Sequence, residues 1–426
     1  MNYNAWTLAL IGAGVVSLPA VAHSDENTNA VLTALSNTNA VLTALSSTTI
    51  SGYVDTSAHW NPGTGNYYLP VYTPNAAPGG SKADGFNLDL VALTISKPVG
   101  EGDWGAGYNT TLLFGPDANG YNNVPGQTGS SDFSLKDTYV DLHAPLGNGL
   151  DLKLGTFTEI LGYEVYETGN NPNYTRSYGY EIEPTALTGG LATYQFSPVI
   201  SAQAGIANTW SAGINSRSSP PQGPKAESFK TYMGAVTLTA PESLGFLAGS
   251  TLAGGIINGF DAVTTQGIKT SFYVGGSVKT PLKCLSVGFA YDYVALANNT
   301  TTDSDTSDLV PHSSGYQNAT ALYLLWQATD KLTFNTRAEY FSQSAYLSQS
   351  AYLNMSPTAM PAEVFALTAT AQYDLWKNVI SRLEFRWDHS LSEGDAYGGT
   401  GTTANPAPAP GHKNAFLVAA NFIYKF

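Results

Sequence analysis

The sequence predicts an all-β chain closed into a transmembrane antiparallel up-and-down β-barrel of about sixteen strands. Three observations lead there. From Thr48 onward apolar residues recur at period two, not 3.6. The segments so defined are joined by connections that alternate long and short. The last residues, NAFLVAANFIYKF (414–426), read as an amphipathic strand with an aromatic at its end, where soluble chains usually fray into polar residues.

Composition agrees with this class. Charged residues make up 12% of the 426, against about 25% in soluble domains. In their place stand 43 Gly and 26 Tyr. The net charge is −14, from 18 basic and 32 acidic residues. An acidic surface argues against a nucleic-acid partner, because counterion release needs basic groups. The single cysteine, Cys284, excludes an intrachain disulfide, a CxxC metal site and a haem-attachment motif. No metal or other cofactor is expected. His59, His143, His312, His389 and His412 are scattered without HxH or HExxH spacing. The loop acids Asp303, Asp305 and Asp308 lack the glycine and distal glutamate of a calcium loop.

Taken in chain order, residues 1–22 read as an export signal. An apolar run from Ala5 to Val16 precedes Pro19 and the small-residue pattern Ala20-Val21-Ala22, although no Lys or Arg stands before the run. Residues 23–47 carry the decapeptide NTNAVLTALS twice, at 27–36 and 37–46, and read as a periplasmic spacer or short helix. Residues 48–426 form the barrel domain. Its strands are expected at 48–60, 86–99, 104–115, 133–146, 150–160, 185–198, 200–210, 230–241, 243–259, 268–281, 285–299, 318–329, 331–344, 364–378, 379–392 and 414–426.

Short connections such as GEGD (100–103), GNG (147–149), Pro198-Val199, Pro241-Glu242 and LKC (282–284) face long ones such as 61–85, 161–184, 260–267 and 393–413. A second duplication, SQSAYL at 342–347 and 348–353, falls in one of the long ones. Short turns on one side and long loops on the other are the pattern of a bacterial outer-membrane barrel, and an even strand count puts both ends on the periplasmic side. In hydrocarbon every backbone polar group needs an internal partner, so the last strand is expected to pair with the first. The strand ending in Phe426 is also expected to engage the barrel-assembly machinery.

Side-chain parity supports the class. With Phe426 on the lipid face, Tyr424, Phe422, Ala420, Val418 and Phe416 follow it, while Lys425 and Asn421 point inward. The same test turns Phe334, Ala338 and Tyr340 out and Asn335, Arg337 and Glu339 in. It turns Leu383, Phe385 and Trp387 out and Arg382, Glu384, Arg386 and Asp388 in. A lipid-facing Arg or Lys at mid-bilayer would cost about 2–4 kcal/mol. Tyr53, Trp60, Trp104, Tyr108, Tyr194, Trp210, Tyr323, Trp326, Trp376 and Trp387 sit where interfacial aromatic girdles are expected.

Residues 138–198 run from a strand ending in Pro145-Leu146-Gly147-Asn148-Gly149-Leu150, through Gly162-Tyr163-Glu164 and Asn171-Pro172-Asn173-Tyr174-Thr175-Arg176-Ser177-Tyr178, to Thr188-Gly189-Gly190. With the late strands NTRAEYF (335–341) and SRLEFRWDHS (381–390), this resembles the OmpL-like β-barrel porin family of Gram-negative bacteria. The resemblance spans 48–426. Thr156 stands where the family's Gly-Lys-Phe element has Lys, and Thr175 where it has Ser. The resemblance implies an outer-membrane porin.

Loop 161–184 is the most chemically loaded segment. It holds Tyr163, Glu164, Glu167, Arg176, Tyr178, Tyr180, Glu181 and Glu183. Folded inward, it would narrow the lumen and oppose Arg176 to one or more carboxylates, setting a transverse field. Left outside, it would be a surface loop with solvated charges. The alternating Arg382, Glu384, Arg386 and Asp388, with Arg337 and Glu339, read either as a ladder lining the channel or as a network stiffening the wall. The function expected is passive diffusion of small hydrophilic solutes with weak cation preference, by a chain embedded in outer-membrane lipid, with monomer and homotrimer both open as assemblies. The alternatives are a sheath for a periplasmic electron-transfer or efflux partner, and an outer-membrane enzyme. The enzyme is the weakest, since His389 and Ser390 are neighbours and face opposite sides.

Overall fold

The computed structural model describes residues 47–63, 69–70, 84–100, 104–120, 132–210, 214–215, 229–261, 267–297, 300–302, 309–311, 315–344, 361–399 and 409–426. The expected export signal, nearly all of the spacer 23–47, the acids Asp303, Asp305 and Asp308 and the second SQSAYL copy lie outside these residues.

Residues Thr49–Phe426 form one compact unit. The first nine strands are β1 (Thr49–Trp60), β2 (Gly85–Lys97), β3 (Gly105–Phe114), β4 (Phe133–Ala144), β5 (Leu150–Thr158), β6 (Ala186–Gln195), β7 (Ile200–Ala207), β8 (Thr231–Thr239) and β9 (Thr251–Asp261). Then follow β10 (Gly267–Lys279), β11 (Leu285–Ala297), the short β12 (Thr300–Thr302) and β13 (Leu309–Pro311), and β14 (Gly315–Gln327). The last four are β15 (Leu332–Gln343), β16 (Glu363–Trp376), β17 (Val379–Ser390) and β18 (Asn414–Lys425). β12 and β13 pair with each other, and the remaining sixteen close into one antiparallel barrel.

Closure is made where the sequence requires it. β1 pairs β18 from Tyr53 opposite Lys425 to Trp60 opposite Val418. Gly52 and Phe426 then exchange both backbone hydrogen bonds, at 3.0 and 2.9 Å. The aromatic end of the chain is thus an edge of the ladder, with its amide and carbonyl satisfied as hydrocarbon demands.

Facing follows the expected parity. Leu383, Phe385, Phe422 and Tyr424 are exposed outward, while Arg337, Glu339, Arg386, Asp388 and Asn421 are buried on the inner side. Of the residues assigned to girdles, Trp60, Trp104, Tyr108, Trp326 and Trp376 are exposed. Tyr53, Trp210 and Tyr323 are not girdle residues: they pack into hydrophobic clusters of the interior. Aromatics favour strands on either face, so type alone does not assign the side.

One hairpin departs from the expected boundaries. β9 starts at Thr251, not 243, because residues 242–247 form a 3-10 turn. Leu244, Phe246 and Ala248 alternate like a strand, but Gly245 and Gly249 take left-handed φ values of 62° and 77° and interrupt the ladder. The turn between β8 and β9 is therefore long, and the connection 262–266 between β9 and β10 is short. The strict long–short alternation fails at this one place.

Candidate functional site

Residues 159–185, between β5 and β6, run inside the barrel, and inward side chains of many strands bind them. The anchor is Arg337 on β15. Its Nη1 donates to Glu164 Oε1 at 2.8 Å and to the Thr175 carbonyl at 2.7 Å, and its Nη2 donates to the Arg176 carbonyl at 3.0 Å. Its Nε donates to Glu339 Oε2 on the same strand. Glu164 also accepts from the Tyr323 hydroxyl at 3.0 Å and from the Ser177 amide at 2.9 Å. Arg337 and Glu164 have side chains wholly closed to water.

The rest of the alternating charge strand is consumed in the same way. Glu384 accepts the amides of Tyr174 and Thr175 at 2.6 and 2.9 Å. Arg382 donates to the carbonyls of Thr168 and Asn171 at 2.8 and 2.7 Å. Arg386 donates to the Arg176 carbonyl at 2.6 Å and grips Asp388 with two nitrogens at 2.8 Å. Asp388 accepts from the Tyr178 hydroxyl at 2.9 Å, and Glu339 accepts the Tyr178 amide at 2.7 Å. On β18, Lys425 Nζ reaches the Gly169 carbonyl at 3.2 Å.

These wall charges therefore satisfy backbone groups of a loop that has little regular structure of its own. The loop holds a 3-10 turn at Thr168–Asn170 and one short α-helix, α1 (Tyr178–Ile182), capped by the Ser177 hydroxyl accepting the Tyr180 amide at 3.1 Å. A buried irregular backbone needs such partners for its amides and carbonyls.

Further anchors ring the barrel. A bulge in β1–β2 between Asp55 and Thr56 accompanies the burial of both Asp89 and Leu90. Asp89 accepts from the Tyr174 hydroxyl at 3.2 Å, and His59 Nε2 is 2.8 Å from the same hydroxyl. Lys136 on β4 pairs with Glu167 at 2.8 Å. Toward β9–β14 the contact is largely apolar, with the Tyr163 hydroxyl 3.2 Å from Ser277 Oγ as a polar exception. Tyr163 stacks on Tyr323 with centroids 4.2 Å apart. Leu161 joins the cluster of Phe157, Leu187, Leu191, Met233, Ile257 and Tyr273. Wall glycines let the loop come this close: a Cβ on Gly288 would lie 2.1 Å from the Tyr163 hydroxyl, and one on Gly255 would lie 2.7 Å from Leu161.

Of the residues singled out from sequence, Glu164, Arg176, Arg337, Glu339, Arg382, Glu384, Arg386 and Asp388 are brought together in this buried network. Glu167 stands apart with Lys136. Glu181 is half-buried with Oε1 closed to water and unpartnered, and desolvation pushes its carboxyl up to about 7. Burial, and next the charge of Asp292, also raises Glu183. The expected opposition of Arg176 to a carboxylate across open water is not formed. Arg176 is closed to solvent and donates to the Tyr174 and Tyr166 carbonyls and the Thr168 hydroxyl. It ties the loop to itself, because that chain segment turns back around the guanidinium. Sequence reasoning turned Asn335 inward but assigned no role to it, to Asn173 or to Thr370, which bond loop to wall: Asn173 Nδ2 donates to Thr370 Oγ1 and Asn335 Nδ2 to the Pro172 carbonyl, both at 2.7 Å. Inward parity on β15 and β16 was the available signal.

A family model described as "Putative beta-barrel porin-2, OmpL-like" matches residues 47–426. No curated protein matches the chain by sequence. Among solved structures, the outer membrane channel DcaP of Acinetobacter baumannii superposes with a TM-score of 0.55 at 11% identity, covering 89% of this chain and 97% of that one. An anion-selective porin from Comamonas acidovorans gives 0.56 at 11% identity, covering 89% and 99%. OprB of Pseudomonas putida gives 0.53 at 9% identity, covering 92% and 97%. At such identities the likeness establishes the barrel fold and no more.

Proposed function

The chain belongs to the OmpL-like beta-barrel porin-2 family, and on that premise we propose that it is a porin for passive diffusion of small hydrophilic solutes. It is an outer-membrane channel by family and fold. The observation that carries the finer reading is the inner loop 159–185, pinned by Arg337, Arg382, Glu384 and Arg386. A fixed constriction sorts solutes by size and excludes large ones. The buried network holds four arginines (Arg176, Arg337, Arg382, Arg386) and four acids (Glu164, Glu339, Glu384, Asp388), so the weak cation preference we propose arises from acids outside it. The same loop weighs against a sheath for a protein partner, which would need that cross-section.

Refolded protein in planar bilayers should give stepwise conductance without any partner, and liposomes should swell in small sugars but not large ones. A refolded barrel that passes no ions would end this reading. We also propose removal of residues 1–22, a periplasmic spacer at 23–47, a homotrimer, and assembly through the strand ending in Phe426. Intact and native mass of the extracted protein check the first and third. Deletion of Phe426 should lower the outer-membrane yield; unchanged yield would refute the last.

A further inference from the structure

The inner loop does not meet the wall evenly. On β15–β17 it lies against Arg337, Ala366 and Arg386, all closed to water. On β4–β7 the inward face keeps water. Leu191 marks that face, since it belongs to the interior cluster. The register carries the same face from Leu191 to Lys153, and from Lys153 to Asp141. Two residues nearer the β4–β5 turn, Asp151 stands opposite both His143 and Thr193, and Thr193 stands opposite Gln203. Asp141, His143, Asp151, Lys153, Thr193 and Gln203 are all part-exposed. Leu154, of the other parity, is exposed on the lipid side.

A cavity of about 220 Å³ opens between this wall and the start of the loop at residues 158–160. Asp137, Lys153, Thr158, Glu159 and Gln203 give it a mostly polar lining. At roughly 30 Å³ per water it has room for about seven waters. The charges of this wall are not consumed by the loop as those of β15–β17 are. Lys153 Nζ lies 4.8 Å over the ring of Tyr139, on the neighbouring strand. Asp141 Oδ1 has no hydrogen-bond partner. Asp151 Oδ1 lies 2.6 Å from His143 Nδ1, and about half of the Asp151 side chain (49%) stays exposed. Two carboxylates thus stand against one ammonium beside the open space.

We infer that the open passage through the barrel runs off-centre along β4–β7, and that Asp141 and Asp151 on that wall favour cations there, opposed by Lys153. The inference rests on the channel reading above and names the acids behind its weak cation preference. Charge acts on a passing ion with a strength that falls with distance, so the groups beside the water path count most. The arginines and acids of β15–β17 stand behind the loop and bind its backbone, which leaves them little part in the choice.

The test uses the full refolded chain with Cys284→Ser, so that an added thiol is the one labelled. A cationic methanethiosulfonate should label Gln203→Cys and cut single-channel conductance at least about twofold, because the adduct enters a space of only about seven waters. Ala366→Cys, on the closed wall, should stay unlabelled. Intact mass of the detergent-solubilised protein reads the labelling independently of conductance. Labelling at 366 and none at 203 would overturn the passage. In a roughly tenfold KCl gradient, Asp141→Asn with Asp151→Asn should lower the cation-to-anion permeability ratio at least about twofold, and Lys153→Gln should raise it. A ratio that Lys153→Gln leaves unchanged or lowers would overturn the role of this wall, even if the double variant does not fold. Conductance steps indifferent to the label at 203 would remove the passage and keep the channel; labelling at 203 in a barrel without steps would do the reverse.

Discussion

On β15–β17 the inner wall meets the loop with Arg337, Glu339, Glu384, Arg386 and Asp388; on β9–β11 it meets the same loop with Gly255, Ile257, Gly288 and Ala290. The first wall satisfies backbone amides and carbonyls through directed, charge-assisted bonds. The second has Ser277 beside the Tyr163 hydroxyl and Asp292 beside Glu183, but it gains most of its contact by letting Leu161 and Tyr163 approach the strand backbone. The two chemistries fail differently. A buried charge left without its partner is costly, about 3–5 kcal/mol. A packing fault on the apolar side costs about 1–3 kcal/mol, because side chains can shift.

The largest effect is therefore expected at Arg337. Arg337→Met strands Glu164 and Glu339 inside the barrel, and loop docking should weaken by about 3–5 kcal/mol. Trypsin should then cut after Arg176, which is 3% exposed in the native protein, and single-channel conductance should rise. Adding Glu164→Gln should restore part of the loss, since one orphaned charge is gone. A resistant loop in Arg337→Met would show that the ionic wall does not hold it.

Gly288→Leu probes the apolar wall. The new side chain must displace Tyr163 from its stack on Tyr323. Thermal stability should fall by about 1–3 kcal/mol, with a change in near-ultraviolet tyrosine dichroism. A loss as large as that of Arg337→Met would erase the contrast between the walls.

The smallest effect is expected from pH. Glu181 is raised by burial from 4.5 to about 7. A raised acid favours the docked state while protonated, so docking is firmest below pH 4.5 and weakens as pH climbs to about 7. Tryptic cleavage at Arg176 should rise a few-fold between pH 5 and 8 (roughly the span of that titration), and Glu181→Gln should flatten the profile. Cleavage independent of pH in the wild type would discard Glu181 as a contributor.

Much of the wall was legible because period-two patterning is local. The alternation in NTRAEYF and SRLEFRWDHS fixed which side chains face in, and the structure places Arg337 and Glu384 there. The Leu244–Ala248 stretch misled for the same reason: it alternates locally, and only the left-handed Gly245 and Gly249 reveal the turn. The loop could not be read this way. Its residues have no period, and their charges suit a solvated rim as well as a buried plug.

By itself, then, the sequence determined the number of barrel strands, the closure of β18 on β1 and the sides that β15, β17 and β18 turn to water and lipid, because the pleat and the need to satisfy every backbone group in hydrocarbon leave one solution. Only the tertiary structure decided what the inward charges do. Arg337, Glu384 and Arg386 could have faced water across a pore; they bind the loop's backbone instead. That outcome depends on where a segment 162 to 210 residues away in sequence comes to rest, which no local pattern encodes.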